Sequence, residues 1–154
     1  HFVFHSNQKY AYVINELSST ITCFHYDGNE GSLIEIQEIS TLPAAFHGES
    51  FCADIHISES GQFLYGSNRG HNSIAIFKID QPTGRLTWIQ HCSTNGQGPR
   101  NFCIMPGGDF LLVANQNSDN IVTLSINQQT GKLFPTGELT SVEKPSCIAL
   151  FSQK

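Results

Sequence analysis

The sequence predicts an all-β protein that is built from a repeated unit of four short strands. No stretch keeps a 3.6-residue apolar period over three helical turns, whereas short apolar or alternating runs recur between Gly, Asn, Asp and Pro. Only 14% of the 154 residues are charged, compared with about 25% in a typical globular domain, and much of the gap is made up by Ser, Thr and Asn. Such a composition favours turns and strands over long helices.

The repeat is visible as three segments that align with one another. Each has an apolar run that ends in Asn, then a polar loop, a second apolar run and a Gly-x-Leu motif. The interval from Asn to Leu is 18 residues in every copy, and the pairs are Asn15 and Leu33, Asn68 and Leu86, and Asn115 and Leu133. The copies are spaced by 53 and then 47 residues, so we expect a longer loop at about 42–49. Constant internal spacing with a variable connector indicates one repeated supersecondary unit.

Four-stranded units at this spacing are typical of β-propeller blades. We predict three blades at about residues 1–50, 51–98 and 99–144, followed by a closing strand at 145–151. In the second unit the predicted strands are Ala53–Ile57, Phe63–Asn68, Ser73–Ile79 and Leu86–Ser93. Because propellers have about four to eight blades, we expect the chain to be part of a longer ring. The alternatives are that three blades fold alone or that copies of the chain complete a ring.

Composition and motifs exclude several functions. The net charge is −5 and no Lys/Arg cluster occurs, so general nucleic-acid binding is not expected. No apolar run approaches the ~20 residues of a membrane span, and no secretory signal is visible at the first residues. The five cysteines form no CxxC motif, which favours free thiols in a reducing cytoplasm. We expect no metal, because the carboxylates do not cluster, and no cofactor, because nucleotide-binding glycine motifs are absent.

The geometry of a meander predicts where a site would lie. In an antiparallel unit, the loops between units and the loops between the second and third strands fall on one face. The alignment puts one polar residue at the start of each unit and another directly after the repeated Asn. Mixed acids and bases at the mouth of a channel favour a small anionic ligand. The residues expected at this mouth are His1, Glu16, Asp54, Arg69, Arg100 and Asn101.

Several motifs are similar to those of a known family. Ala53–Ser58 followed by Gly61–Arg69 resembles the ADIHxSPDGRFLYxSNRG signature of the seven-bladed lactonase propellers. Gly98–Phe102 resembles the GPR(H/N/G)F motif of that family. The opening sixteen residues resemble HFVFHPNGKYAYVINE, and Lys144–Ile148 resembles the closing strand, so the resemblance covers the whole chain. The usual Pro after the first strand is replaced by Ser6 and Glu59.

This family includes bacterial-type 6-phosphogluconolactonases and muconate-lactonizing propellers. The resemblance implies a seven-bladed ring, with about four blades outside this chain, and hydrolysis of a sugar lactone such as 6-phosphogluconolactone. The alternatives are a muconate-type lactonizing enzyme and a non-catalytic interaction module. We expect little catalysis from this chain alone, with either completing blades or self-association at its open edges.

Lactone hydrolysis requires a base for water and donors for the developing oxyanion. The resemblance therefore implies catalytic roles for His1, Glu16 and Arg100, with either His1 or Glu16 as the base. Arg69, Asp54 and Asn101 are the expected substrate-binding residues, although Arg69 could instead pair with Asp54 as a structural contact. His56 is expected in the core. The remaining histidines share no spacing and are expected on the surface or in turns, at positions 5, 25, 47, 71 and 91.

Overall fold

A computed structural model describes residues 1–151. Within that range there is no helix at all, and hence none that is long and apolar enough to cross a membrane. Twelve strands form three four-stranded antiparallel sheets, each of which is a meander in chain order. The all-β prediction is confirmed, and each sheet has the form of a propeller blade.

The three sheets are called blades 1, 2 and 3 below. Blade 1 consists of β1 (Phe2–Phe4), β2 (Tyr10–Asn15), β3 (Thr20–Asp27) and β4 (Ser32–Ser40). Blade 2 consists of β5 (Phe51–Ile57), β6 (Phe63–Arg69), β7 (Ser73–Ile79) and β8 (Leu86–Ser93). Blade 3 consists of β9 (Pro99–Ile104), β10 (Phe110–Asn115), β11 (Asn120–Ile126) and β12 (Leu133–Ser141).

The strands of blade 2 lie close to their predicted positions. β7 and β8 begin and end as predicted, whereas β5 begins two residues earlier and β6 ends one residue later. The difference arises because Phe51 pairs with Arg69 beyond a register shift between Cys52 and Ile55. A bulge of this kind leaves residues unpaired locally, and an alternation pattern in the sequence does not show that pairing resumes beyond it.

The hydrophobic core lies between the blades, because a single sheet has no interior of its own. The first cluster joins Tyr12 and Ile21 of blade 1 to Leu64 and Phe77 of blade 2. The second joins blade 2 to blade 3 in the same way, with Tyr65, Ile74, Phe102, Leu111 and Leu124 among its members. All of these side chains are fully buried, so each blade depends on its neighbour for burial of its apolar face.

The repeated Gly-x-Leu motif is a docking contact between blades. The Tyr12 hydroxyl donates to the Gly84 carbonyl at 2.9 Å. The Gln37 amide donates to the Leu86 carbonyl at 3.0 Å, and the Leu86 N–H donates back to Gln37 Oε1 at 2.7 Å. Leu86 is therefore fixed by its own backbone as well as by the burial of its side chain.

The same contact recurs between blades 2 and 3. The Tyr65 hydroxyl donates to the Gly131 carbonyl at 3.1 Å. Gln90 and the Leu133 backbone exchange hydrogen bonds at 3.3 and 3.1 Å. The first copy of the motif has no such partner within residues 1–151, and its Leu33 is 43% exposed.

The repeated Asn fastens the turn between the second and third strands. The Asn68 amide donates to the Thr41 carbonyl at 2.8 Å and to Ser73 Oγ at 3.3 Å. The Asn115 amide makes the corresponding bonds, to the Thr94 carbonyl and to Asn120 Oδ1, each at 3.0 Å. These bonds tie the turn to the connector that enters the blade.

The segment 145–151, where the closing strand is predicted, has no ladder pairing with any described strand. A strand is defined by its hydrogen-bonded neighbour, and none is present beside this segment within residues 1–151. The hydrogen bond that this segment makes with the described strands runs instead from the Ile148 N–H to Asn101 Oδ1 at 2.7 Å. This bond attaches it to the first strand of blade 3.

Candidate functional site

Four of the six predicted site residues line one small pocket at the mouth face. The pocket has a volume of about 90 Å³, and its predicted lining residues are His1, Glu16, Arg69 and Arg100. Ile14, Cys52 and Ala53 complete its wall. Asp54 and Asn101 do not line it and lie behind it. Meander geometry predicts which loops share this face, but it does not separate the side chains that line the pocket from those that lie behind it.

Asp54 is the most heavily hydrogen-bonded group in this region, and only 3% of its surface is exposed. Its Oδ1 accepts from the His1 ring Nδ1 at 2.8 Å and from the Ile55 N–H at 3.0 Å. Its Oδ2 accepts from His56 Nε2 at 3.0 Å, Asn101 Nδ2 at 2.5 Å and the Phe102 N–H at 3.2 Å. Five donors satisfy the buried carboxylate, so its negative charge is compensated and its oxygens are not open to a ligand.

Asp54 also fixes the orientation of His1. A carboxylate accepts only, so the ring of His1 presents Nδ1–H to Asp54. The other nitrogen, Nε2, has no hydrogen-bond partner within residues 1–151 and can carry a free lone pair. The side chain of His1 is 59% exposed, whereas that of Asp54 is 4% exposed. In this pair the buried Asp54 fixes the orientation of the imidazole, and the accessible Nε2 of His1 is the atom that can react.

Glu16 and Arg69 form an ion pair across the junction between blades 1 and 2. Arg69 Nη2 also donates to the Cys52 carbonyl at 3.2 Å, which fixes the guanidinium against the wall of the pocket. The buried Arg69 Nε makes no hydrogen bond with the described residues. The alternative pairing of Arg69 with Asp54 does not occur, because Asp54 is directed to the histidines and to blade 3 instead.

Arg100 differs from Arg69 in its surroundings. It lies in β9 directly after Pro99, it is exposed, and it has no carboxylate or carbonyl partner within residues 1–151. Of the two arginines that line the pocket, Arg100 therefore has the guanidinium that is open to an anion. Bidentate binding of phosphate or carboxylate is the chemistry that such a group supplies.

The thiol in the pocket wall is not a nucleophile of the activated kind. Burial raises the pKa of Cys52, and hydrogen bonds from neighbouring hydroxyls and the charge of Arg69 oppose that rise only in part. A thiol with a raised pKa is protonated near neutral pH, and the thiolate is the reactive form. Within residues 1–151 no three His, Cys, Asp or Glu side chains are placed to hold a metal ion together.

His56 lies in an environment that differs from the one we expected. It was expected in the core, but its side chain is 39% exposed and its Nε2 bonds the same carboxylate as His1. Its ring packs edge-on against Phe102 at 4.8 Å. The signal for this role is the spacing of two residues between Asp54 and His56, which places both side chains on one face of β5.

The chain belongs to the seven-bladed β-propeller lactonase family. The family model described as "Lactonase, 7-bladed beta-propeller" matches residues 1–150. A 6-phosphogluconolactonase of Bacillus subtilis is 41% identical over 106 residues, which are 69% of this chain and 30% of that protein. The chain therefore spans about a third of the length of this relative.

Solved structures agree with this assignment. The periplasmic gluconolactonase PpgL of Pseudomonas aeruginosa superposes with a TM-score of 0.92 and 36% identity, covering 96% of this chain and 40% of that one. A crystal structure of a protein from Lactobacillus plantarum gives a TM-score of 0.90 and 36% identity, covering 94% of this chain and 42% of its own. The predicted propeller and the predicted lactonase family are both confirmed.

Proposed function

We propose that this chain supplies part of a lactone-hydrolysing site, and that the substrate is a phosphorylated six-membered sugar lactone such as 6-phosphogluconolactone. The observation that carries the proposal is one pocket that contains both an Asp54-held His1 and an Arg100 without a partner among the described residues. An oriented imidazole beside an accessible guanidinium supports water activation next to a bound anion. Of the relatives that the chain resembles, one is named a 6-phosphogluconolactonase and another a gluconolactonase.

In this proposal His1 is the general base. Its Nε2 takes a proton from water as the oxygen of that water bonds to the lactone carbonyl carbon. The tetrahedral oxyanion then collapses, the bond between the carbonyl carbon and the ring oxygen breaks, and the imidazolium returns its proton to the leaving oxygen. Asp54 accepts from Nδ1–H throughout and stabilises the imidazolium, as the carboxylate does in hydrolase triads. Between the two candidate bases, His1 is favoured because Glu16 is engaged by Arg69.

The two arginines have different roles in this scheme. Arg100 binds the phosphate, since its guanidinium is exposed and not neutralised within residues 1–151. Arg69 is held by Glu16 and the Cys52 carbonyl, and this preorganised donor is suited to the developing oxyanion. Asp54 positions His1 from behind the pocket and Asn101 holds Asp54, so in this scheme neither contacts the substrate, in contrast to our expectation from the sequence.

The whole site requires more than this chain. A pocket of about 90 Å³ is smaller than a sugar phosphate lactone needs, and ligand sites commonly have 300–1,000 Å³. We therefore infer that other blades of the ring complete the channel wall, and that the 154 residues alone turn over slowly or not at all. The described cysteines are all free, in keeping with a cytoplasmic reaction, whereas the P. aeruginosa relative is periplasmic.

The test is lactone hydrolysis, followed as acid release, by a seven-bladed propeller that contains this segment. We expect 6-phosphogluconolactone to be hydrolysed and Arg100→Gln to raise its KM about 10- to 100-fold, the loss of a charged hydrogen bond worth about 1.5–3 kcal/mol. The variant should change the KM for unphosphorylated gluconolactone much less. The matched control is Arg85→Gln, which removes an exposed arginine from the turn before β8, on the opposite face.

Replacing the His1 side chain with Gln should lower kcat about 100-fold or more while the folded signal is kept. Turnover of a muconolactone in place of the sugar lactone would support the muconate-type alternative. Absence of any lactone turnover in a folded, complete propeller would leave the interaction module as the remaining function and would overturn the proposal.

A further inference from the structure

The connector between β4 and β5 folds over blade 2. It covers residues 41–50, whereas the equivalent connector between β8 and β9 covers only residues 94–98. The ring of Phe46 packs edge-on against His71, with centroids 4.8 Å apart and the planes at 76°. Gly70 has a φ of 106°, and a Cβ there would lie 2.2 Å from the Glu49 carbonyl oxygen. The connector thus contacts the β6–β7 turn so closely that only glycine fits beneath it.

A second histidine holds the start of the same connector. The rings of His71 and His91 are 5.5 Å apart, with their planes at 80°. His91 Nε2 lies 2.9 Å from the Thr41 carbonyl oxygen, and the Trp88 indole N–H donates to His91 Nδ1 at 3.1 Å. An indole N–H only donates and a carbonyl only accepts, so His91 is neutral and carries its hydrogen on Nε2.

Protonation of His91 is incompatible with this arrangement. A second hydrogen on Nδ1 would face the Trp88 N–H, and an attractive contact between donor and acceptor would become a contact between two donors. The positive charge of a protonated His91 would also lie directly beside the ring of His71. Among the described residues, the other titratable side chains of the connector are His47 and Glu49, and neither makes a hydrogen bond or ion pair with the two histidines.

The electrostatic setting agrees with the geometry. Burial lowers the pKa of His71, and burial together with the nearby His71 lowers the pKa of His91, which the hydrogen bond to Thr41 opposes in part. A histidine with a lowered pKa in the folded protein stabilises the fold above its ordinary pKa of about 6.5, and this stabilisation is lost as the pH falls. The contacts of the connector should therefore weaken on the acid side of neutrality.

We propose that Phe46, His71 and His91 form an acid-sensitive latch, which holds the 41–50 connector on blade 2 near neutral pH and releases it on acidification. The connector leads directly to the mouth. The Ser50 hydroxyl donates to the Arg69 carbonyl at 2.9 Å, and the Cys52 N–H donates to the Glu16 carbonyl at 3.1 Å. Release of the latch therefore loosens the backbone that supports the Glu16–Arg69 pair. This inference rests on the connector and is independent of the reaction proposed above.

The test is hydrogen exchange of the 154-residue chain at pH 7.5 and pH 5.5, corrected for the pH dependence of the intrinsic exchange rate. Peptides that cover 42–50 report on the latch, and peptides that cover 94–98 are the internal control. We expect protection of 42–50 to fall by up to about tenfold for each histidine that is neutral in the closed state and protonated in the open state at pH 5.5. Protection of 94–98 should change little. Equal protection of 42–50 at the two pH values would overturn the proposal.

The His91→Gln variant separates the effect of protonating residue 91 from the effect of its hydrogen bonds to Thr41 and Trp88. The Gln amide can donate to the Thr41 carbonyl and accept from Trp88 but does not titrate, so its connector should lose clearly less protection on acidification than that of the unmodified chain, with His71 as the remaining titrating latch residue. His25→Gln, at an exposed position in β3, is the matched control and should respond to acid as the unmodified chain does. A His91→Gln chain that opens with acid as the unmodified chain does would contradict the latch, and so would one already open at pH 7.5.

Discussion

Asn101 and Asp54 occupy equivalent positions in neighbouring blades, and the Asn101 amide donates to Asp54 Oδ2 at 2.5 Å. The same alignment position in blade 1 is His1, which bonds the other carboxylate oxygen. Asn101 in turn accepts from the Ile148 N–H. One lateral series of hydrogen bonds therefore runs across the inner strands, from blade 1 to the segment after blade 3, and Asp54 lies at its centre.

Replacing Asp54 with Asn tests this central role. The amide keeps one acceptor oxygen but turns an NH₂ group towards donors that need an acceptor, so we expect a loss of about 1–3 kcal/mol in the free energy of unfolding. Urea unfolding measures this loss. The control is Asp109→Asn, because Asp109 is exposed and accepts one bond, from Gln128. An Asp54→Asn chain as stable as the control would show that the carboxylate is not needed for the series.

Gly31 and Gly131 occupy the same turn position in blades 1 and 3. Replacing each with Ala separates the destabilisation caused by backbone strain from that caused by packing between blades. Gly31 and Gly131 have φ values of 64° and 71°. A Cβ at Gly31 meets nothing within 4 Å, whereas one at Gly131 lies 2.4 Å from the Phe63 ring. Gly31→Ala should cost about 1–2 kcal/mol for the left-handed conformation alone. Gly131→Ala should cost a further 1–3 kcal/mol or so from overpacking. Equal losses in thermal or urea unfolding would contradict the packing argument.

The thiols should differ sharply in reactivity. Burial raises the pKa of Cys23 to about 12 and that of Cys92 to about 11, and it also raises those of Cys52 and Cys103. Cys147 is exposed. At pH 8 we expect iodoacetamide to label the folded chain rapidly at one site, Cys147, and the urea-unfolded chain at all five cysteines. Intact mass spectrometry followed by peptide mapping measures both, and rapid labelling of a second cysteine in the folded chain would count against the described burial.

The outer face of blade 1 should promote association of this chain. This face exposes Phe2, Phe4 and Leu33. An exposed apolar sheet face of this kind tends to be buried against another protein surface. We expect light scattering to give a mass above 17.0 kDa, and Phe4→Gln to lower it. Leu17→Gln, in the exposed turn after β2, is the control and should not change the mass. A monodisperse monomer would contradict this expectation.

The sequence predicts the repeat well and the contacts between repeats poorly. The Asn-to-Leu interval locates the strands of each blade, because spacing within one unit is set by local chain geometry. It does not show which neighbour a side chain faces. The Glu16–Arg69 pair and the burial of His5, which bonds the Gly61 carbonyl, both depend on the approach of a second blade. His5 was expected at the surface or in a turn; it begins the β1–β2 turn, where its carbonyl accepts from the Gln8 N–H, and the packing of blade 1 on blade 2 buries it.

The docking of each Gly-x-Leu motif gives the row of blades a direction. Blades 1 and 2 each have one side that offers a Tyr hydroxyl and a Gln amide, and blades 2 and 3 each receive these donors on backbone groups of Gly and Leu. In blade 3 the positions of Tyr65 and Gln90 are occupied by Leu112 and Gly137, so its far side lacks both groups. A blade transplanted there would find no matching donors. The contacting faces thus distinguish blade 3 from the other two, because it can receive these donors from the blade before it but cannot offer them to a blade after it.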